Sequence, residues 1–242
     1  MISRVRLPQA LSSPETKRSY VRRLFSTIAG RYDFITVLLS YGRDRHWKRT
    51  VADATSATDE TKALDLACGT GDIAFALAAR GARVTGLDIT LRMLELARTK
   101  PHERDRVSFV LGDMMALPFG AAGFDVVTTG YGLRNVPDIT ASIAEIARVL
   151  GPGGVFVSLD FNKPANPFVR AIYLTYLTAV GSTLGFILHR DPDTYRYIPE
   201  SIRRYPGAEG VVALLRNHFA EVEYRPVLGG LMAIHVARKH RT

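Results

Sequence analysis

Two glycines and two carboxylates fall within the nine residues Leu64-Asp65-Leu66-Ala67-Cys68-Gly69-Thr70-Gly71-Asp72. Gly69 and Gly71, on either side of Thr70, let the backbone approach a ligand closely, and a helix starting at Asp72 offers its unpaired N–H groups. Asp88 follows Gly69 by nineteen residues and ends the next apolar run. A carboxylate there can accept from both hydroxyls of an adenosine ribose. Farther on, Gly112-Asp113-Met114 sets an acceptor beside a thioether: Asp113 can meet an adenine amino group while Met114 covers the ring. Gly69-x-Gly71-x-x-Ala74 also fits a dinucleotide fingerprint, so NAD is one reading. Asp65 and Asp72 weigh against it, because carboxylates beside the loop repel a pyrophosphate and attract a cation. S-adenosylmethionine, with a sulfonium, an α-amino group and no phosphate, is such a cation. Asp72 is also of the type that caps helices.

These residues need a strand before the glycine turn and a helix after it, and the apolar pattern supplies both. Lys62–Ala67 reads as a strand, Asp72–Arg80 as an Ala-rich helix, Arg83–Asp88 as strand, Leu91–Lys100 as helix and Val107–Leu111 as strand. Phe124–Thr129 is a further strand, Asp138–Leu150 a helix, Gly151-Pro152-Gly153-Gly154 a turn, and Val155–Asp160 a strand. Strands separated by helices imply βαβ units and a doubly wound parallel sheet. After a proline-punctuated stretch from Asn162 to Glu209 come a helix (Val211–Phe219) and two strands, Val222–Leu228 and Leu231–Arg238, joined at Gly229-Gly230. That junction reads as an antiparallel hairpin. Before the alternating region, Val21, Leu24, Phe25 and Ile28 recur at helical spacing within Glu15–Ile28, and residues 52–61 read as a linker.

The 242 residues are 47% hydrophobic and 23% charged, a globular composition that excludes disordered, collagenous and disulfide-scaffold classes. A single cysteine, Cys68, allows no internal disulfide, and no Cys/His spacing predicts a metal. The net charge is +9, and residues 1–50 carry eleven Lys/Arg, among them Arg4, Arg6, Lys17 and Arg18, against three acids. A basic N-terminus points to an anionic surface, membrane or nucleic acid. No aromatic-plus-basic nucleic-acid module accompanies it, so no nucleic-acid partner is expected. No secretory run opens the chain, and a cytoplasmic protein is expected. The uncharged stretch Ala171–Leu188 is of marginal spanning length, but Gly181, Ser182, Thr183 and Gly185 dilute it, so a lid or buried helix is expected there.

LDLACGTGD, GLD, GDMMALPF and the GPGG turn resemble the motifs of class I S-adenosylmethionine-dependent methyltransferases. Four further segments resemble the demethylmenaquinone/ubiquinone C-methyltransferase family of quinone biosynthesis. They are Tyr32-Asp33 through Ser40-x-Gly42 to Arg45-His46-Trp47-Lys48; Gly132-Leu133-Arg134-Asn135-Val136; Arg148-Val149-Leu150 with Asp160-Phe161-Asn162-Lys163-Pro164; and Tyr195-x-Tyr197-Ile198-Pro199-Glu200-Ser201-Ile202. The chain departs from that family at Ile35-Thr36, usually Met-Asn, at Asp44, usually His, and at Gly130, Gly151, Asp160 and Asn162.

The resemblance implies a Rossmann-like, mostly parallel seven-stranded sheet with a C-terminal antiparallel hairpin. It divides the chain into a basic helical segment, 1–50, and a cofactor domain, 51–242, with a helical substrate lid at 162–209. It implies S-adenosylmethionine as cofactor, held by Asp65, Gly69, Thr70, Gly71, Asp88, Asp113, Met114 and Gly130. It implies methylation of a ring carbon of a prenylated quinol, demethylmenaquinol or a ubiquinone-pathway benzoquinol, with Arg134, Tyr32 and Asn135 as catalytic candidates. Tyr131, Asp160 and His46 are further candidates, and Asp138 is the alternative partner for Arg134. The lid would wall the prenyl tail. The expected setting is the inner face of a membrane, bound peripherally, with a homodimer as one expected assembly. Another small-molecule or RNA methyltransferase, an NAD-dependent oxidoreductase and a non-catalytic adenosyl-ligand binder are the competing readings.

Overall fold

The computed structural model describes residues 7–40, 42–100 and 105–241; Arg4 and Arg6 lie outside them. In chain order the elements are α1 (Leu7–Ala10), α2 (Pro14–Ile28), α3 (Tyr32–Leu39), α4 (Asp44–Ala54), β1 (Lys62–Leu66), α5 (Asp72–Ala78), β2 (Arg83–Asp88), α6 (Leu91–Thr99) and β3 (Val107–Leu111). There follow β4 (Phe124–Gly130), α7 (Ile139–Val149), β5 (Leu150–Phe161), α8 (Pro167–His189), α9 (Asp193–Arg204), α10 (Gly207–Leu215), β6 (Glu221–Val227) and β7 (Met232–Arg238).

The strands form one sheet in the order β3-β2-β1-β4-β5-β7-β6. Strands β1 to β5 pair in parallel; β7 runs antiparallel between β5 and β6. The two-residue period of the strands splits the core. Ala63, Val126 and Val157 face a layer with Trp47, Ile73 and Leu77, while Leu64, Val127 and Phe156 face Ile143, Ile146 and Leu215. Strand order reverses between β1 and β4, the place where open α/β sheets bind ligands beyond their carboxyl ends.

Two expectations change here. The GPGG stretch is no turn but the first part of β5. The pairing slips between Phe124 and Val126, whose partners are Leu150 and Val155, and Gly153 takes a φ of +70°. The glycines accommodate a bulge, which needs the same backbone freedom as a turn. The linker at 52–61 begins later, since Ala52 is wholly buried in the last turn of α4.

The N-terminal helices close over the carboxyl edge of the sheet. Ser13 caps α2, its Oγ accepting from Thr16 N at 3.3 Å while Thr16 Oγ1 accepts from Ser13 N at 3.2 Å. Val21 of α2 packs on Tyr197 of α9; Ile28 and Ile35 pack on Tyr195. The insertion thus meets the N-terminal helices above the sheet. Helix α8 lies against the start of α9 through Gly181 and Gly185: a Cβ at Gly181 would stand 3.1 Å from Tyr195 O, and one at Gly185 2.5 Å from Asp191 O. The residues that dilute the uncharged stretch are the ones that let it pack.

Candidate active site

A cleft of about 670 Å³ opens beyond the ends of β1, β2 and β4. Gly69 (φ +55°) and Gly71 (φ +87°) shape the loop beneath it; a Cβ on Gly71 would fall 2.7 Å from the Phe75 ring. Asp88 is buried at the cleft wall, its Oδ2 accepting from Gly69 N and its Oδ1 from Thr90 N, both at 2.8 Å. Each oxygen keeps a second acceptor direction. Burial raises the Asp88 pKa against the pull of those N–H groups. Asp113 and Met114 line the same cleft; Asp113 Oδ1 accepts from Met115 N at 2.9 Å and its Oδ2 pairs with Arg18 Nε at 2.7 Å. Gly130 lines it too, and a Cβ there would meet Ile73 at 2.8 Å.

Asn135 donates through Nδ2 to Tyr131 O at 2.6 Å, while its buried Oδ1 has no partner among the described residues. An unpaired buried acceptor in a cleft is costly unless a ligand donor meets it. That orphan oxygen, the glycine-lined floor and the Asp88 acceptors fit a ligand with a ribose and an amino group, as S-adenosylmethionine has.

Asp65 and Thr70 face elsewhere, into a smaller recess of about 300 Å³ that also touches Gly69 and Gly130. Asp65 Oδ1 accepts from Thr128 Oγ1 at 2.8 Å and Oδ2 from Ala74 N at 3.1 Å, tying the first turn of α5 to the sheet. Burial lifts its pKa to about 7. Thr70 donates to Asp33 at 2.6 Å and accepts from Lys100 at 2.9 Å. Asp72, expected to repel a pyrophosphate and attract a cation, pairs with Lys48 at 2.9 Å and Lys100 at 2.8 Å. Burial works against the Asp72 charge, but the two ammoniums outweigh it and its pKa falls. A carboxylate so neutralised repels nothing, so the electrostatic preference for a cation does not come from Asp72. Lys48 and Lys100 were missed because they sit 24 and 28 residues from Asp72, beyond any local pattern.

A second cavity, about 630 Å³ and mainly apolar, lies between α2, α3 and α9. Phe25, Tyr32 and Tyr131 line both it and the cleft. Arg134 reaches it from below, 6% exposed, with Nε 3.1 Å from Asp160 Oδ1 and Nη1 bonded to Ser201 Oγ. Its guanidinium stands 5.2 Å from the Phe161 ring centre. Asp138, the partner expected from its nearness in sequence, instead caps α7 through Thr140 N and Ala141 N. Asp160, a candidate substrate partner, is committed to Arg134. Tyr32 lines both cavities, and burial raises the pKa of its hydroxyl. His46 is exposed on α4 and lines none of these cavities. Helix α9 contributes Tyr195, Tyr197 and Ile198 to the apolar wall; no α8 residue lines it, contrary to the expected role of the uncharged stretch.

Comparison with known proteins gives this site its context. The profile of the ubiE/COQ5 methyltransferase family matches residues 13–239. The chain is 39% identical over 216 residues to a demethylmenaquinone methyltransferase of Thermus thermophilus, covering 88% of this chain and 98% of that protein. It is 39% identical over 225 residues to a ubiquinone/menaquinone biosynthesis C-methyltransferase of Paracoccus denitrificans, covering 90% of each. Among solved structures, a SAM-dependent methyltransferase of Thermotoga maritima superposes with a TM-score of 0.64 at 17% identity, covering 90% of this chain and 99% of that one. A Bradyrhizobium japonicum N-methyltransferase in complex with S-adenosyl-L-homocysteine, at 18% identity, gives 0.55 and covers 82% of this chain and 87% of that one. These two share the fold: seven strands, mostly parallel, with the antiparallel C-terminal hairpin. The chain belongs to the ubiE/COQ5 methyltransferase family, enzymes whose methyl donor is S-adenosylmethionine.

Proposed function

We propose that the protein methylates a ring carbon of a prenylated quinol, demethylmenaquinol first and a ubiquinone-pathway benzoquinol second. The observation that carries this reading is the apolar cavity of about 630 Å³ set against the donor cleft, with Phe25, Tyr32 and Tyr131 shared between them. A ring seated at that shared wall would face the cleft, and a hydrocarbon tail would lie among Leu24, Ile28, Ile35 and Leu39.

S-adenosylmethionine, when bound, supplies an electrophilic methyl group. Asp88 would accept from the ribose hydroxyls, Asn135 Oδ1 from an amino group, and Asp113 with Met114 would frame the base. A ring carbon becomes nucleophilic as the neighbouring phenol loses its proton. Arg134, held by Asp160 and Ser201, would stabilise the phenolate, and the Tyr32 hydroxyl would orient it. The apolar walls exclude water, which strengthens both interactions.

Residues 162–209 act as the lid of this site through α9, and the helices before residue 50 form its roof. Peripheral attachment to the inner face of a membrane follows from the substrate and has a physical basis. The apolar side chains Phe168, Ile172, Phe186 and Ile187 of α8 are exposed, and exposed Arg31 and Arg190 flank its C-terminal end. A homodimer through the same face is the competing use of that surface.

The deciding experiment follows labelled methyl transfer from S-adenosylmethionine to reduced demethylmenaquinol and, in parallel, to a demethylated benzoquinol in detergent. Transfer to either supports the reading, and the ratio gives the ring. Tight binding of S-adenosylhomocysteine with transfer to neither overturns it.

A further inference from the structure

Tyr131 sits at the wall common to the donor cleft and the acceptor cavity, and it is 7% exposed. Its φ of +62° is a left-handed backbone carried by a residue with a side chain. Conformations of this kind cost energy and persist where the surroundings hold them, often at functional sites. Two backbone bonds hold this one: Tyr131 N donates to Leu159 O at 2.7 Å, and Tyr131 O accepts from Asn135 Nδ2 at 2.6 Å.

The phenolic proton of Tyr131 is already spoken for. Its Oη donates to Asp44 Oδ1 at 2.8 Å, and Asp44, 1% exposed, lies 2.6 Å by its Oδ2 from Lys48 Nζ. A tyrosine whose hydrogen points to a buried carboxylate can offer only lone pairs to any further partner. Toward a substrate hydroxyl it is therefore an acceptor.

Beyond it, Asp44, Lys48, Asp72, Lys100 and Asp33 form one chain of ion pairs at 2.6, 2.9, 2.8 and 2.7 Å, which fixes the Asp44 carboxylate against the Tyr131 hydroxyl.

We infer that Tyr131 and Asp44 form the relay that takes the proton from the acceptor hydroxyl, with Tyr131 as the catalytic residue in contact with substrate and Asp44 as the terminus that positions and discharges it. The inference rests on the phenolic acceptor proposed above. The substrate O–H bond breaks and its proton goes to Tyr131 Oη as the proton of Tyr131 passes to Asp44 Oδ1. The electron pair left on the substrate oxygen moves into the ring, whose neighbouring carbon forms the new C–C bond. The bond from the methyl carbon to sulfur breaks with its pair going to sulfur. The ring C–H proton then passes to solvent water, its bonding pair restores aromaticity and returns the charge to the oxygen, and the relay gives that oxygen back its proton, so that one proton is released per methyl transferred.

The test uses Tyr131→Phe, which removes one oxygen and leaves the Asp44–Lys48 pair intact, with Asp44→Asn as the second variant. General-base groups contribute about 10²–10⁴-fold, so Tyr131→Phe should lower kcat at least about 10²-fold with KM for the quinol changed less than threefold. Asp44→Asn, which still accepts the Tyr131 bond but takes up no proton, should fall comparably. In Asp44→Asn, too, the loss should appear in kcat and not in KM for the quinol. A readout independent of turnover is the naphtholate absorbance of bound 1-naphthol with S-adenosylhomocysteine present. The anion fraction at pH 8 should drop at least threefold in Tyr131→Phe. Wild-type kcat in Tyr131→Phe, a change in KM alone, or an unchanged naphtholate fraction overturns the relay. If the wild-type enzyme methylates neither quinol, the substrate reading fails, and the naphthol titration still decides the relay.

Discussion

Asp88 shows how much one carboxylate does before any ligand arrives. Its two oxygens satisfy the backbone N–H groups of Gly69 and Thr90, and so set the loop that forms the floor of the cleft. Replacing it with Ala leaves both donors buried and unpaired, at about 1–3 kcal/mol each. Asp88→Ala should therefore lose both melting temperature and affinity for S-adenosylhomocysteine, measured by scanning and titration calorimetry. Unchanged affinity in a folded variant would remove Asp88 from the ribose site. Arg134 poses the converse question, since its ion pair with Asp160 is almost wholly buried. Breaking such a pair by removing one partner costs about 3–5 kcal/mol, whereas replacing both with apolar groups is often neutral. Arg134→Met should be strongly destabilised, and Arg134→Met with Asp160→Leu should recover most of the melting temperature while methyl transfer stays lost. Recovery of activity in the double variant would make Arg134 a structural residue only. The sequence displayed Asp88, Asp113 and the glycines because each stands at a strand end, where the strand–turn–helix pattern marks the turn: Asp88 closes β2, Asp113 follows β3 and the glycines follow β1. The pairs Arg134–Asp160, Lys48–Asp72 and Tyr131–Asp44 were illegible because 26, 24 and 87 residues separate the partners.

At the level of elements, strands β2 and β3 match the expected bounds to the residue, since each is a short run with β-branched or aromatic residues set between helix and turn signals. Glycine was the poor guide. At 151–154 it signals permissive backbone, which serves a bulge as well as a turn, and in α8 it signals close packing against α9 and not only a diluted apolar run. That packing is testable. Gly185→Leu forces a side chain into the carbonyl of Asp191, and overpacking of this kind costs about 1–3 kcal/mol. The variant should melt earlier and lose quinol affinity, because α9 is displaced, while donor binding is kept; equal loss of both would mean that α9 also supports the cleft. Strand β7 carries a buried histidine, His235, whose Nε2 lies 3.1 Å from Ala208 O and Nδ1 3.2 Å from Ser158 Oγ. Burial lowers its pKa to about 4. The unfolded chain, with an ordinary histidine near 6.5, binds the proton more readily, so stability should fall as pH drops from about 6.5 to about 4, by ~3 kcal/mol in all. His235→Gln should flatten that part of the pH–stability curve; an identical slope in the variant would place the loss elsewhere.

For the whole molecule, the expected basic patch is partly consumed within the fold. Lys17 donates to Val136 O, Arg18 pairs with Asp113, Arg31 reaches Leu188 O, and Lys48 is buried between two carboxylates. The proposed attachment to lipid should thus depend more on the apolar face of α8 than on charge. Phe168→Ser with Phe186→Ser should reduce flotation with anionic vesicles at least tenfold, while raising salt should reduce it only a few-fold; the reverse order would return the contact to the arginines. The edge strand β6 touches the rest of the sheet only through β7, which slots in between it and β5. With β7 out of place, β5 has an open edge and β6 has no neighbour to zip onto. One strand therefore closes both gaps at once, and a chain in which it has not docked presents a raw strand edge to every other chain around it.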